Sequence, residues 1–303
     1  MPGPSSNHLL KGVSRSFYLS LRFLPGPMRG AASLGYLLAR TSDTLADSAA
    51  APAEARLLCL DWFHRALTGD EVPPRWPGQV RNAVSDPWER ALLEKSDDLF
   101  AWLERLPAAE AQLVREVVAI IISGQKLDLE RFGAADREQA AALSNDAELE
   151  DYAWRVAGCV GAFWTKLGFL TLGETFSKQP AEPLIGRGIA YGKGLQLVNI
   201  LRDMAQDLAH GRCYLPLPDP HDTQRLLEMR LRWLDRAGEW VGEGFVYADA
   251  LVSRRLRVAS VLPAMLARET LDLLREAPFQ TRVKVPRSRV YLALLRAFTG
   301  RAH

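Results

Sequence analysis

Gly194–Asp207 reads GLQLVNILRDMAQD. Leu195, Leu197, Val198, Ile200 and Leu201 recur at helical spacing, so the stretch is read as a helix. Asn199, Asp203 and Asp207 stand one turn apart on it, in a single stripe. Carboxylates so placed repel each other. Within apolar sequence they are costly unless paired or metal-bound. A divalent cation that prefers oxygen relieves both costs, and Mg²⁺ usually keeps waters and phosphate oxygens as its other ligands. A solvated helix face is the competing reading, and one D-x-x-x-D alone favours it.

Only one other Asp pair in the chain has this spacing: Asp43 and Asp47, inside Tyr36–Asp47, YLLARTSDTLAD. Arg40 lies one turn before Asp43, and Arg202 directly precedes Asp203. Two such helices facing each other would make a metal-filled, diphosphate-binding end to an apolar cavity. Metal ions reverse the repulsion between acids and a diphosphate, and arginine supplies forked donors. The implied chemistry is ionisation of an allylic diphosphate, with apolar walls shielding the carbocation from water.

Around these stretches the pattern is helical almost throughout, with no convincing strand alternation. One helix is expected from about Met28 past Asp47. The next has Pro52 in its first turn and stops at Gly69. A third opens at Ser85-Asp86-Pro87 and ends before Pro107, and a fourth runs from there to Gly133. Ala134–Ser144 reads as a connector. Asn145 with Glu148 is a capping-box-like start for a helix lasting to about Gly173. Another follows Pro183 and ends near Gly211. Gly211–Pro220 (GRCYLPLPDP) is a Pro-rich loop, and residues 1–12 a tail. Further helices break near Tyr247–Asp249 and at Pro278–Pro286. The economical reading is one all-α domain over residues 1–303, a helical bundle.

Composition fits this. Of 303 residues, 48% are apolar and 24% charged, with a net charge of +2, so neither a disordered chain nor a nucleic-acid binder is indicated. Leu251–His303 is locally basic, with 11 Lys/Arg against 3 Asp/Glu. A solvated face explains this most simply; an anion site or an acidic membrane surface is the alternative. Three separated cysteines and five histidines form no C-x-x-C or H-x-x-x-H pattern. A reduced cytosol is therefore expected and a zinc site is not. Met1–Leu10 is not read as a signal peptide. No uninterrupted apolar run is longer than Val117–Ile122, which is too short to span a bilayer.

From Val13 to Arg296 the chain resembles the squalene/phytoene synthases, the head-to-head prenyl synthases. The motifs occur in order: Ser14-Arg15-Ser16-Phe17 (SRSF), Tyr36–Asp47, Tyr152–Gly161 (YAWRVAGCVG), Gly194–Asp207, Gly211–Pro216 (GRCYLP) and Val283-Lys284-Val285. SRSF, SDTLAD and VKV are similar to the squalene synthase branch, while GRCYLP is also similar to phytoene synthase. The resemblance implies an isoprenoid-synthase bundle around a central apolar cavity. It implies Mg²⁺, with Mn²⁺ as the alternative, held by Asp43, Asp47, Asp203 and Asp207 with help from Asn199. Arg15, Arg40, Arg202 and Arg212 would grip diphosphate. Ser14, Phe17, Gln196 and Tyr214 would contact substrate, and Tyr36 and Tyr152 would sit by the reacting carbons. For both tyrosines the alternative is helix packing with a satisfied hydroxyl. Gly158 and Gly161 would thin their helix for an isoprenoid chain, or serve close helix packing.

The function this implies is condensation of two farnesyl diphosphates through presqualene diphosphate to squalene, with NADPH as hydride donor. No dinucleotide fingerprint is present, so the cofactor's phosphates would need cations such as the three in Arg282–Arg287 (RVKVPR). The resemblance to squalene synthases, which place a similar basic segment near their cofactor, carries this role onto Lys284 and Arg287, with ordinary surface charges as the alternative. Dehydrosqualene or phytoene synthesis without reduction is the nearest alternative. A non-catalytic prenyl-lipid binder and a purely structural helical protein are others. Squalene synthases often carry a further acid just before the last Asp of each motif; Ala46 and Gln206 stand there instead. Eukaryotic relatives end in a membrane anchor, and none is expected here. A cytoplasmic monomer is expected, touching the inner face of the membrane through its basic C-terminal region.

Overall fold

The computed structural model describes residues 4–13, 17–72 and 75–299, which divide into two compact units. The first comprises Met1–Gly133 with Lys166–Gly173, and the second Ala134–Thr165 with Glu174–His303.

The first unit is built on α1 (Pro4–Val13), α2 (Phe17–Phe23), α3 (Gly26–Ala46), α4 (Ala53–Thr68), α5 (Gly78–Ala83), α6 (Pro87–Glu94), α7 (Ser96–Leu103) and α8 (Ala108–Phe132). The sequence expectation of a tail over residues 1–12 needs correction. Pro4–Val13 is helical because Leu9, Leu10 and Val13, at helical spacing, are all buried. Helix α3 buries Met28, Leu34, Leu37, Leu38 and Leu45, and packs on α8, which buries Val114, Val118 and Ile122. Helix α4 stops where expected: Gly69 caps it in the left-handed conformation, φ 87°, which costs a glycine nothing.

The single helix expected before Pro107 is two. Asp86 caps α6 by accepting from the Trp88 and Glu89 amides, but the helix ends at Lys95. The Trp76 indole N–H donates there to the Leu93 carbonyl at 3.1 Å and to Ser96 Oγ at 2.8 Å. A side chain inserted into the carbonyl ladder is a recognised cause of such a break.

The second unit carries α9 (Asp146–Ala153), a π-helical turn (Trp154–Gly158), the start of α10 (Cys159–Leu172), α11 (Ala181–Ala209), α12 (Thr223–Ala250), α13 (Arg254–Glu276) and α14 (Arg287–Thr299). Its only strands among the described residues are β1 (Ala141–Ala142) and β2 (Arg212–Cys213), paired in parallel. Asn145 caps α9 as expected, accepting from the Glu148 amide at 3.0 Å, while Glu148 accepts from the Ser144 amide at 3.0 Å.

Helix α11 is held by close backbone contact. A Cβ on Gly161 would lie 1.9 Å from the Gly188 carbonyl oxygen, and one on Gly192 would lie 2.4 Å from that of Ala157. Gly158 and Gly161 therefore serve helix packing, the second of the two expectations. On its other side Gly194 lets α12 approach at Trp240 and Val241. Helix α12 ends at Ala250, one residue past the break expected near Tyr247–Asp249, and α13 opens at Arg254. Tyr247 is buried in its last turn, with its hydroxyl 2.9 Å from Thr165 Oγ1.

Asp146–Thr175 as a whole is long and apolar enough, by length and composition, to cross a bilayer. No uninterrupted apolar run marks it, because Lys166 and several small residues divide it. Its glycine contacts with α11 give the Asp146–Thr165 part a packing role inside the second unit. Cys59, Cys159 and Cys213 are free and buried, and burial pushes their thiols up to about 11, 12 and 11.

Candidate active site

In the first unit, α3 presents Tyr36, Arg40 and Asp43 on successive turns. The helix ends at Ala46, one residue short of Asp47 rather than beyond it. Asp47 keeps an α-like conformation as the cap, its amide donating to the Asp43 carbonyl at 2.8 Å, so the one-turn spacing persists. Arg40 donates to Asp43 Oδ2 at 2.9 Å and also pairs with Glu89. Burial pulls the Arg40 guanidinium down, but Asp43 and Glu89 outweigh it and raise it further. The Gln125 amide donates to Asp43 Oδ1 at 3.0 Å. Gln125 Oε1 is buried and has no hydrogen-bond partner among the described residues. The Tyr36 hydroxyl donates to the Val13 carbonyl at 3.3 Å. Ser14 and Arg15 lie outside the described residues, and of Phe17 only the backbone, in α2, is described.

In the second unit, Asn199, Asp203 and Asp207 share a pocket of about 220 Å³ with Gln196, Gln206, Ile200, Tyr152, Tyr214 and Arg282. Tyr152 and Tyr214 stack with ring centroids 5.0 Å apart. Asp203 accepts from Arg202 at 2.6 and 3.1 Å and from Arg282 Nε at 2.9 Å. Burial pushes the Asp203 carboxyl up, yet Arg202 and Arg282 overcome this and hold it below the usual carboxylate range. Arg212 donates to Asp207 Oδ1 at 3.2 Å.

The GRCYLP segment has a local cause. Gly211 adopts φ 78°, and a Cβ there would lie 2.2 Å from the Asp136 carbonyl oxygen. Only glycine fits. The Gly211 carbonyl accepts from the Ala141 amide at 2.9 Å, which aligns β2 beside β1 and delivers Arg212 to Asp207.

Lys284 and Arg287 are exposed and do not line the pocket. Arg282, two residues before Lys284, does. The sequence offers Arg282 as a cation for cofactor phosphates, whereas it pairs with Asp203, and nothing local signals Gln125 or Glu89, which come from other helices.

Among the described residues no three His, Cys, Asp or Glu side chains converge on one point. Each unit instead offers two carboxylates one turn apart, beside an amide side chain and arginines. That donor set suits Mg²⁺, which binds through one or two carboxylates and completes its shell with water and substrate phosphate. The orphaned Gln125 oxygen beside Asp43 fits a cation as well.

Residues 10–295 match the family model described as squalene/phytoene synthase. A presqualene diphosphate synthase from Zymomonas mobilis is 29% identical over 87% of this chain and 80% of its own length. A phytoene synthase from Mycobacterium tuberculosis is 28% identical over 89% of this chain and 80% of its own. Among solved structures, TcSQS in complex with the ligand BPH1237 superposes with a TM-score of 0.80 at 24% identity, covering 97% of this chain and 85% of that one. The fold is the all-α isoprenoid-synthase fold.

Proposed function

The chain belongs to the squalene/phytoene synthase family, and from that premise we propose that it condenses two farnesyl diphosphates head to head, through presqualene diphosphate, to squalene. The coarser statement, an enzyme of the head-to-head prenyltransferase type, follows from the family itself. The observation that supports a diphosphate-handling site is Asp203, a carboxylate paired with Arg202 and Arg282 in a pocket shared with Asn199 and Asp207.

Asp203 and Asp207 with Asn199, and Asp43 with Asp47, would hold Mg²⁺. When bound, the ion supplies positive charge for the leaving diphosphate. Arg202, Arg212 and Arg282 turn from the carboxylates to the diphosphate oxygens as substrate enters, and Arg40 does the same beside Asp43. The Tyr152–Tyr214 stack offers aromatic faces to the positive charge left on the allylic carbon when the diphosphate departs. As the first diphosphate leaves, the double bond of the second substrate attacks the freed carbon, and loss of a proton closes the cyclopropane. NADPH, bound with Lys284 and Arg287 at its phosphates, would supply the hydride for the second half. The SRSF, SDTLAD and VKV motifs support this branch. We place the enzyme in the cytoplasm, as its three reduced cysteines suggest, and as a monomer.

A second reading, with presqualene diphosphate as end product, is favoured by the name of the Zymomonas mobilis relative. The double variant Lys284→Ala with Arg287→Ala distinguishes the two. It is expected to raise the NADPH requirement about ten-fold or more, from the roughly 1.5–3 kcal/mol of a charged hydrogen bond. Presqualene diphosphate formation should be spared. A loss of both half-reactions together would assign the segment to the diphosphate or the fold, and no change would place the cofactor elsewhere. A product mixture indifferent to NADPH in the unaltered enzyme would favour the shorter reaction.

A further inference from the structure

Helix α14 has two apolar faces. Ala293 and Ala297 are buried, with the helix packed on α13. On the opposite side Tyr291, Leu295 and Phe298, spaced four and three residues apart, form one stripe 69, 61 and 38% exposed, with Leu292 beside it at 43%. Nowhere else among the described residues do four large exposed apolar side chains fall within one helix of this length. Leucines and aromatics so arranged stay in contact with water at a cost proportional to their area.

The charge around the stripe has one sign. From Ala277 to His303 the sequence holds Arg282, Lys284, Arg287, Arg289, Arg296 and Arg301, and no Asp or Glu. Arg282 is committed to Asp203 and Arg289 to Glu269. Lys284, Arg287 and Arg296 are exposed and make no ion pair among the described residues.

We propose that α14 is a membrane-surface helix. It lies in the plane of an anionic bilayer, with Tyr291, Leu292, Leu295 and Phe298 entering the boundary between headgroups and acyl chains. Arg296, at the margin of the stripe, meets acidic headgroups. An amphipathic helix with aromatic and leucine residues on one side and arginine at its margins binds this way. Charge selects this occupant over a second copy of the chain, since two copies meeting here would bring like charges together. An anionic bilayer complements both the stripe and its margins. The proposal does not rest on the catalytic reading.

Co-sedimentation of the full chain with phosphatidylcholine vesicles, with and without phosphatidylserine, tests it. Recovery with the phosphatidylserine vesicles should be at least ten-fold higher and should fall as salt is raised. Tyr291→Glu with Leu295→Glu should reduce binding at least ten-fold while leaving helicity and turnover of detergent-dispersed farnesyl diphosphate unchanged. A Leu295→Cys variant carrying an environment-sensitive dye reads the face directly; the native thiols are buried and resist labelling. Its emission should shift to the blue with anionic vesicles. Equal recovery in the supernatant with both vesicle types, an unshifted dye, or a dimer that the double Glu variant dissociates without any lipid binding would overturn the proposal.

Discussion

Asp203→Asn is expected to lower condensation of farnesyl diphosphate by roughly two to three orders of magnitude, the scale seen when one preorganised charge-stabilising group is removed. Asparagine keeps the shape of the side chain and removes its charge. The loss therefore falls on the pairing with Arg202 and Arg282 and on the proposed Mg²⁺, and not on packing. Stability should hardly change, because the two arginines are 31 and 64% exposed and such pairs contribute about 1 kcal/mol or less. Circular dichroism should match the unaltered chain. Near-normal turnover in Asp203→Asn would remove the carboxylate stripe from the chemistry.

Gly161→Ala should strongly destabilise the second unit. The added Cβ would sit 1.9 Å from the Gly188 carbonyl oxygen, so two backbones must separate. Overpacking of this kind costs roughly 1–3 kcal/mol and more where backbone has to move. Thermal midpoints move by about 2–4 °C per kcal/mol in chains of 150–250 residues, so a fall on the order of 5–10 °C is expected. Activity should fall with it, since α11 carries Asn199, Asp203 and Asp207. Gly186→Ala is the matched control on the same helix. Nothing lies within 4 Å of its added methyl, and the better helix propensity should stabilise by about 0.8 kcal/mol. Equal melting of the two variants would contradict the packing account.

These expectations also show what the sequence discloses. Spacing along one helix is local information. The Asn199–Asp203–Asp207 stripe, the Asn145 cap and the Gly69 stop were legible for that reason. Pairings across long separations were not. Gln125 reaches Asp43 from 82 residues away, Glu89 meets Arg40 from 49, and Arg282 meets Asp203 from 79. None of these has a periodic signature. The break at Lys95 depends on Trp76, in a different segment. Gly161 and Gly188 were each visible as small residues, but only their contact tells packing from passage.

The central claim is the head-to-head joining of two farnesyl diphosphates. It is tested most directly by incubating the purified chain with farnesyl diphosphate and Mg²⁺, then identifying the products by mass. The account predicts presqualene diphosphate when NADPH is withheld, squalene when it is supplied, and no product when the metal is chelated. Recovery of unreacted farnesyl diphosphate under all three conditions would contradict it.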